Sequence, residues 1–167
     1  MLKNSLYDHN CTENIIRENY DAIYKYCYYH VRNSHIAQDI TQDVFMKFLI
    51  NIEKYIECGK LKNYLYVVAK NTINDYMRKP KEISLEDNIE KKAERETESM
   101  TQINNRIMVE TALDKLEHMQ KEIIILKYYQ DLRLKDIAKI VSLPVSTVRY
   151  KLKQAEKELK KEMESEE

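Results

Sequence analysis

The chain has 167 residues, with 28 Lys and Arg set against 28 Asp and Glu, and 43% of its residues are hydrophobic. That length suits one domain or two small ones, and the composition is too apolar for a wholly disordered chain. A single glycine, Gly59, excludes the glycine-rich phosphate cradles of dinucleotide-binding folds, P-loops and kinases, while two prolines imply few turns and long segments.

These counts predict an all-α protein, and the apolar spacing divides it into elements. Ile15, Ile16, Tyr20, Ile23, Tyr24, Cys27 and Val31 keep the three-or-four spacing of an amphipathic helix. Asn33-Ser34 ends that stripe and can cap the next helix. The second stripe runs without a break from Ile36 through Ile40, Val44, Phe45, Phe48, Leu49, Ile52 and Ile56, and predicts a helix stopping near Gly59. The third joins Leu61, Leu65, Val68, Ala69, Ile73 and Tyr76, and ends where Pro80 disfavours helix in the residue before it.

From Glu82 to Asn104 the texture changes: seven acids face three bases, and apolar residues are sparse and aperiodic. Such a stretch buries too little to offset its ordering entropy. Residues 81–105 therefore read as a flexible acidic linker between two small helical domains, 10–80 and 106–163. The second domain opens with a short helix on Ile107, Ala112, Leu113 and Leu116, continuing into another on Met119, Ile123, Ile124 and Leu126. Leu134, Ile137, Ala138, Ile140 and Val141, a tight Ser142-Leu143-Pro144 connection, and the stripe from Val145 to Leu159 make a helix-turn-helix pattern.

Other chemistries find no support. The longest aliphatic run, Ile123 to Leu126, is far short of the ~20 apolar residues of a membrane helix, and residues 1–10 hold no signal-peptide core. A cytoplasmic protein with no membrane contact of its own is expected. Cys11, Cys27 and Cys58 are odd in number and widely spaced, so neither a full disulfide framework nor a CxxC zinc site is expected. The four histidines form no HExxH, and spacing assembles no Ser/His/Asp set. The chain is read as non-enzymatic, without metal or cofactor.

Zero net charge hides two basic segments. Residues 60–81 carry six bases and one acid, interleaved with Tyr64, Tyr66 and Tyr76. Residues 145–161 carry six bases and two acids on the last long helix. Basic helices with aromatics, one of them in a helix-turn-helix, point to nucleic acid. A tyrosine can stack an unpaired base for ~1–3 kcal/mol, although ordinary packing accounts equally well for any single one.

Three blocks carry a family resemblance. Residues 36–45 (IAQDITQDVF) resemble the DAEDLVQEVF signature of bacterial sigma factors, and residues 61–71 (LKNYLYVVAKN) resemble their FRAWLYRIARN. Residues 112–159 are similar to the family's helix-turn-helix block at most apolar positions. In this order, with an acidic segment between, they resemble the small two-domain sigma factors of the extracytoplasmic-function class.

The resemblance implies a transcription initiation factor that binds core RNA polymerase, through the clamp helices of the largest subunit and the flap, and directs it to promoter DNA. Asp39, Gln42 and Asp43 match the polymerase-docking motif, where carboxylates can make charge-assisted bonds to arginines. The third helix and the loop before it resemble the part that melts the minus-ten element and captures a flipped base in single-stranded DNA. There Tyr64 and Asn71 would meet bases, and Lys60, Lys70, Arg78 and Lys79 phosphates. Melting would draw on binding energy, because extruding a base costs a few kcal/mol. The last helix resembles the reader of the minus-thirty-five element in duplex DNA. Arg149, Tyr150, Lys153 and Gln154 match its DNA-facing positions, Ser146 and Thr147 its phosphate-facing first turn, with Lys151 and Lys157 as further phosphate contacts.

The resemblance also leaves room for an anti-sigma protein as a partner. The sequence departs from the pattern at Ser142, where the family has a turn glycine, at Pro144, where it has a Ser or Thr cap, and at Val67-Val68, where an arginine commonly stands. The competing readings are a stand-alone helix-turn-helix regulator and a helical adaptor that no longer supports initiation. A stand-alone regulator would need neither the docking motif nor the aromatic-basic third helix.

Overall fold

A computed structural model describes residues 9–52, 61–79 and 99–165. Among them the secondary structure is helical, with no strand. The chain divides into two compact units, Met1–Ile83 and Ser84–Glu167.

The first unit packs three helices: α1 (His9–Val31), α2 (Ser34–Ile50) and α3 (Leu61–Arg78). Asn33 caps α2 as its sequence suggests, its side chain accepting from the Ile36 N–H at 2.9 Å. The helix ends at Ile50, where the N–H of Asn51 closes onto the carbonyls of Phe48 and Leu49. The turn at Asn51 interrupts the apolar stripe, which the helical, buried Ile52 takes up again; Ile56 lies outside the described residues. The Asn51 side chain also donates to the Lys47 carbonyl at 2.9 Å, which favours a turn at that point. Gly59, Lys60 and Pro80 lie outside the described residues.

The core of this unit is aromatic as well as aliphatic. Phe45 stacks on Tyr20 at 5.9 Å between ring centres, and Tyr26 meets Tyr66 edge to face at 5.3 Å. Fully buried Phe48, Val44, Leu65 and Ala69 fill the space between α2 and α3. Burial of a Phe or Leu side chain contributes roughly 1.5–3 kcal/mol, so these contacts fix the α2–α3 pairing firmly. Thr41 and Thr72 are buried too, each returning its hydroxyl to the carbonyl four residues back. Burial pushes the Cys27 thiol up from its usual 9.0 to about 12, partly offset by a hydrogen bond with Thr41.

The second unit contains α4 (Met100–Lys115), α5 (His118–Ile124), a π-helical turn (Ile125–Tyr129), α6 (Leu134–Val141) and α7 (Val145–Ser165). Helix α4 begins well before Ile107, within residues the sequence assigns to the linker. A capping box accounts for this: Ser99 Oγ accepts from the Gln102 N–H while the Gln102 side chain accepts from the Ser99 N–H. The rest of the acidic segment, residues 80–98, lies outside the described residues.

Helix α6 ends on Ser142, whose φ of 56° is left-handed. The N–H of Leu143 returns to the Ala138 carbonyl at 3.0 Å, closing the turn. Pro144 then supplies the carbonyl that accepts the first bond of α7, from Val148 N–H at 3.0 Å. The N–H that proline lacks makes no intrahelical bond at this position, so the helix start loses only the side-chain acceptor that a Ser or Thr would bring. Buried Ile137, Ile140, Val148, Leu152 and Ala155 lock α6 and α7 together.

Candidate nucleic-acid and partner-binding faces

In α2 the buried residues Ala37, Ile40, Val44 and Phe48 consume one face. At 3.6 residues per turn, Asp39, Gln42 and Asp43 fall on the opposite face, and all three are exposed. The same face continues with Met46, 61% exposed, and Ile50, 77% exposed. It is acidic toward its N-terminal half and apolar toward its end.

Asp39 and Asp43 also border a groove of ≈ 520 Å³ between α2 and α3, completed by Lys47, Asp75, Tyr76 and Lys79. Lys47 Nζ donates across the groove floor to Thr72 Oγ1 at 3.1 Å. The sequence reading missed Lys47 and Asp75 as parts of this rim. The spacing Asp43–Lys47 was the available signal, since residues four apart are neighbours on a helix.

Helix α3 divides the described minus-ten candidates into two environments. Asn71, Arg78 and Lys79 are exposed, and Lys70 is half-buried. Tyr64 is half-buried, its ring 6.2 Å from Phe48, so it is held by the core at its inner edge. Tyr66 is different. It is completely buried, and burial drives its hydroxyl above the usual phenol range, so it serves the core rather than a base. Its place in the basic-aromatic pattern gave no sign of this, because one residue of offset separates the core face from the surface. Lys60 falls outside the described residues.

Helix α7 is the most regular candidate face. Val148, Leu152 and Ala155 point into the core. Ser146, Tyr150, Lys153, Gln154 and Lys157 fall opposite them, and all five are exposed. Arg149 is exposed on the flank of that face, and Thr147 is half-buried in the first turn. Gln154 Nε2 donates to the Tyr150 hydroxyl at 2.8 Å. Lys151 lies on the other flank and pairs with Glu117 at 3.0 Å, which already engages a residue predicted to touch phosphate.

Tyr128, on the π-helical turn, hydrogen-bonds Glu156 of α7. That bond raises the phenol above its usual value, with burial and the carboxylate charge adding to it. Both residues edge a groove of ≈ 450 Å³ with Met108, Ile124, Leu159 and Met163. Among the described residues no group of three or more His, Cys, Asp or Glu could hold a metal ion, and no helix is long and apolar enough to cross a membrane.

Comparison with known proteins places both units. Residues 15–82 match the family description Sigma-70 region 2, and residues 106–159 match Sigma-70, region 4. RNA polymerase sigma factor SigV of Bacillus subtilis is 30% identical over 144 residues, covering 84% of this chain and 83% of SigV. The ECF RNA polymerase sigma factor SigW of the same organism is 26% identical over 156 residues, covering 86% of this chain and 83% of SigW. Among solved structures, CnrH in complex with the cytosolic domain of CnrY matches with a TM-score of 0.75 at 14% identity, over 96% of this chain and 92% of that one. The sigma factor RpoE of Bartonella quintana, in complex with the anti-sigma factor NepR, matches with a TM-score of 0.69 at 17% identity, over 91% and 96% of the two chains. These two structural likenesses concern the fold.

Proposed function

Because this chain belongs to the sigma-70 family, in its extracytoplasmic-function class, we propose a division of labour among its exposed faces for promoter-directed initiation. The chain is an RNA polymerase sigma factor, and its partners are core RNA polymerase and promoter DNA. Matches in both units disfavour a stand-alone regulator, for which a single helix-turn-helix would suffice.

In our reading, the outward face of α2 docks on the polymerase clamp. Asp39 and Asp43 supply charge-assisted bonds to basic side chains, Gln42 adds a neutral one, and Met46 and Ile50 supply apolar area. Helix α3 meets the opened minus-ten strand, with Asn71 facing a base, Tyr64 offering its outer edge, and Lys70, Arg78 and Lys79 along the phosphates. Lys60 is proposed from sequence alone as a further phosphate contact. Helix α7 enters the major groove of the minus-thirty-five element with Arg149, Tyr150, Lys153 and Gln154 toward bases, and Ser146, Thr147 and Lys157 toward phosphates. Domains over residues 10–80 and 106–163, joined by an acidic segment, would let one chain hold both elements together. The flap of the polymerase is the proposed partner of the second unit, whose apolar groove beside Tyr128 has the chemistry to receive it.

The role is non-catalytic in this reading: strand opening uses binding energy, with no bond made or broken by the chain. Its work on the transcription apparatus would place it in the cytoplasm. An anti-sigma protein is a further proposed partner, a kind of complex found for RpoE with NepR.

The observation that carries the reading is the face of α7, with five exposed polar residues directly opposite a closed core. Run-off transcription with purified core polymerase and a promoter library tests it. Promoter-specific transcripts that depend on this chain are expected. Tight footprints on duplex DNA by the chain alone, with no transcript from any promoter, would instead favour the regulator.

A further inference from the structure

Tyr150 stands one helical turn before Gln154 on the outward face of α7, and the residue is 62% exposed. Its hydroxyl accepts the Gln154 Nε2 hydrogen bond at 2.8 Å. Neither residue is needed for the core, which Val148, Leu152 and Ala155 supply from the opposite face.

A glutamine amide has two N–H donors and one carbonyl. Reading adenine in the major groove uses one of those donors, to N7, and the carbonyl, to the N6 amino group. A bond from the other N–H to Tyr150 leaves both reading groups available. It also biases a flexible side chain toward one rotamer before DNA arrives, and a tyrosine with two side-chain torsions is a stiff anchor for it. In water such an exposed contact is weak. Once DNA excludes water from the groove, the same bond strengthens.

The geometry points to Tyr150 as a positioning residue that holds the Gln154 amide in its base-reading orientation, and so sets how sharply one adenine of the upstream promoter element is discriminated. This rests on the assignment of α7 to that element and goes beyond it, because the hydroxyl of Tyr150 acts here through Gln154. A merely structural tyrosine would change affinity for all promoters alike. A positioning tyrosine changes preference at the base pair Gln154 reads.

The test is a double-mutant cycle on the full chain, assembled with core polymerase and selected on a promoter library randomised in the upstream element. Tyr150→Phe, Gln154→Ala and the double variant are compared with the parent. Gln154→Ala should flatten preference for adenine at one base pair. Tyr150→Phe should reduce preference at that same base pair by about fivefold, and should have no further effect when Gln154 is already Ala. The inference is overturned alone if Gln154→Ala flattens that preference while Tyr150→Phe leaves it intact, or if the two effects are independent. It falls together with the assignment of α7 if Gln154→Ala changes preference at no position.

Discussion

Lys151 Nζ lies 3.0 Å from Glu117 Oε2, so the last helix is tied to the residue that caps α5. Glu117 also closes a capping box with Gln120, whose side-chain amide reaches on to Glu158 of the same last helix at 3.1 Å. These contacts brace α7 along the flank away from its exposed polar face. With side chains 27% and 57% exposed, the pair itself contributes little, on the order of 0–1 kcal/mol. Its effect is on assignment: the sequence places Lys151 and Lys157 in one class, and the structure separates them.

That separation predicts different salt behaviour. Lys157→Ala should lower the slope of promoter affinity against salt, on logarithmic axes, by about one unit. Lys151→Ala should leave the slope close to that of the parent. Equal loss for both, measured with holoenzyme over a salt series, would mean that Lys151 leaves Glu117 for a phosphate.

Base preference should follow the two cations nearest the outward face. Arg149→Ala or Lys153→Ala is expected to change selection at one or two base pairs, by ~1–3 kcal/mol each where a bidentate contact is lost. Selection on randomised promoters checks this. No change of preference for either variant would remove base readout from α7.

Ser142 holds φ 56°, where a side chain carries a steric cost of roughly 1–2 kcal/mol. Ser142→Gly should relieve that cost and raise the stability of the second unit by roughly 0.5–1 kcal/mol, the wider freedom of glycine in the unfolded chain subtracting part of the gain. Urea unfolding followed by circular dichroism is the measurement. An unchanged or lower midpoint would show that the Ser142 side chain contributes something that offsets its strain.

Cys27 makes the pH dependence specific. Its thiol titrates near 9.0 when unfolded and is pushed up to about 12 by burial. The neutral thiol is the form the fold accommodates. Its contribution is therefore complete below pH 9 and is lost as pH rises from 9 toward 12, because the unfolded chain releases the proton first. Stability of the first unit should fall through that window, and Cys27→Ala should flatten the fall while costing stability at neutral pH through lost packing. Identical alkaline profiles for the two would exclude the thiol as the cause.

Much of the architecture was legible because its signals are local. Asn33 caps where its side chain suggests, the third helix ends ahead of Pro80, and Ser142 to Pro144 forms the turn between two buried stripes. The signals that failed were those decided by competition or tertiary context. The stripe of α2 runs on through buried Ile52 without a break, yet the Asn51 cap interrupts the helix after Ile50. Ser99 and Gln102 start α4 inside a segment whose composition reads as linker, because a capping box is invisible to hydrophobic periodicity. Tyr66 sits among bases in sequence and in the core in space. The Tyr150–Gln154 bond was available as an i, i+4 pair, but spacing alone does not show which of two polar side chains holds the other.

The most direct test of the docking assignment is the affinity of the chain for core polymerase in the absence of DNA. Asp39 and Asp43 are exposed on α2, opposite its buried face, so substitutions there leave the core of the first unit intact. Reversing both charges, Asp39→Lys with Asp43→Lys, should weaken core binding by at least about tenfold, since two charge-assisted contacts are replaced by repulsion. Lys153→Ala, on the DNA-facing helix, should bind core as the parent does. Parent-like core affinity in the doubly reversed variant, with helicity preserved, would contradict docking through this face of α2.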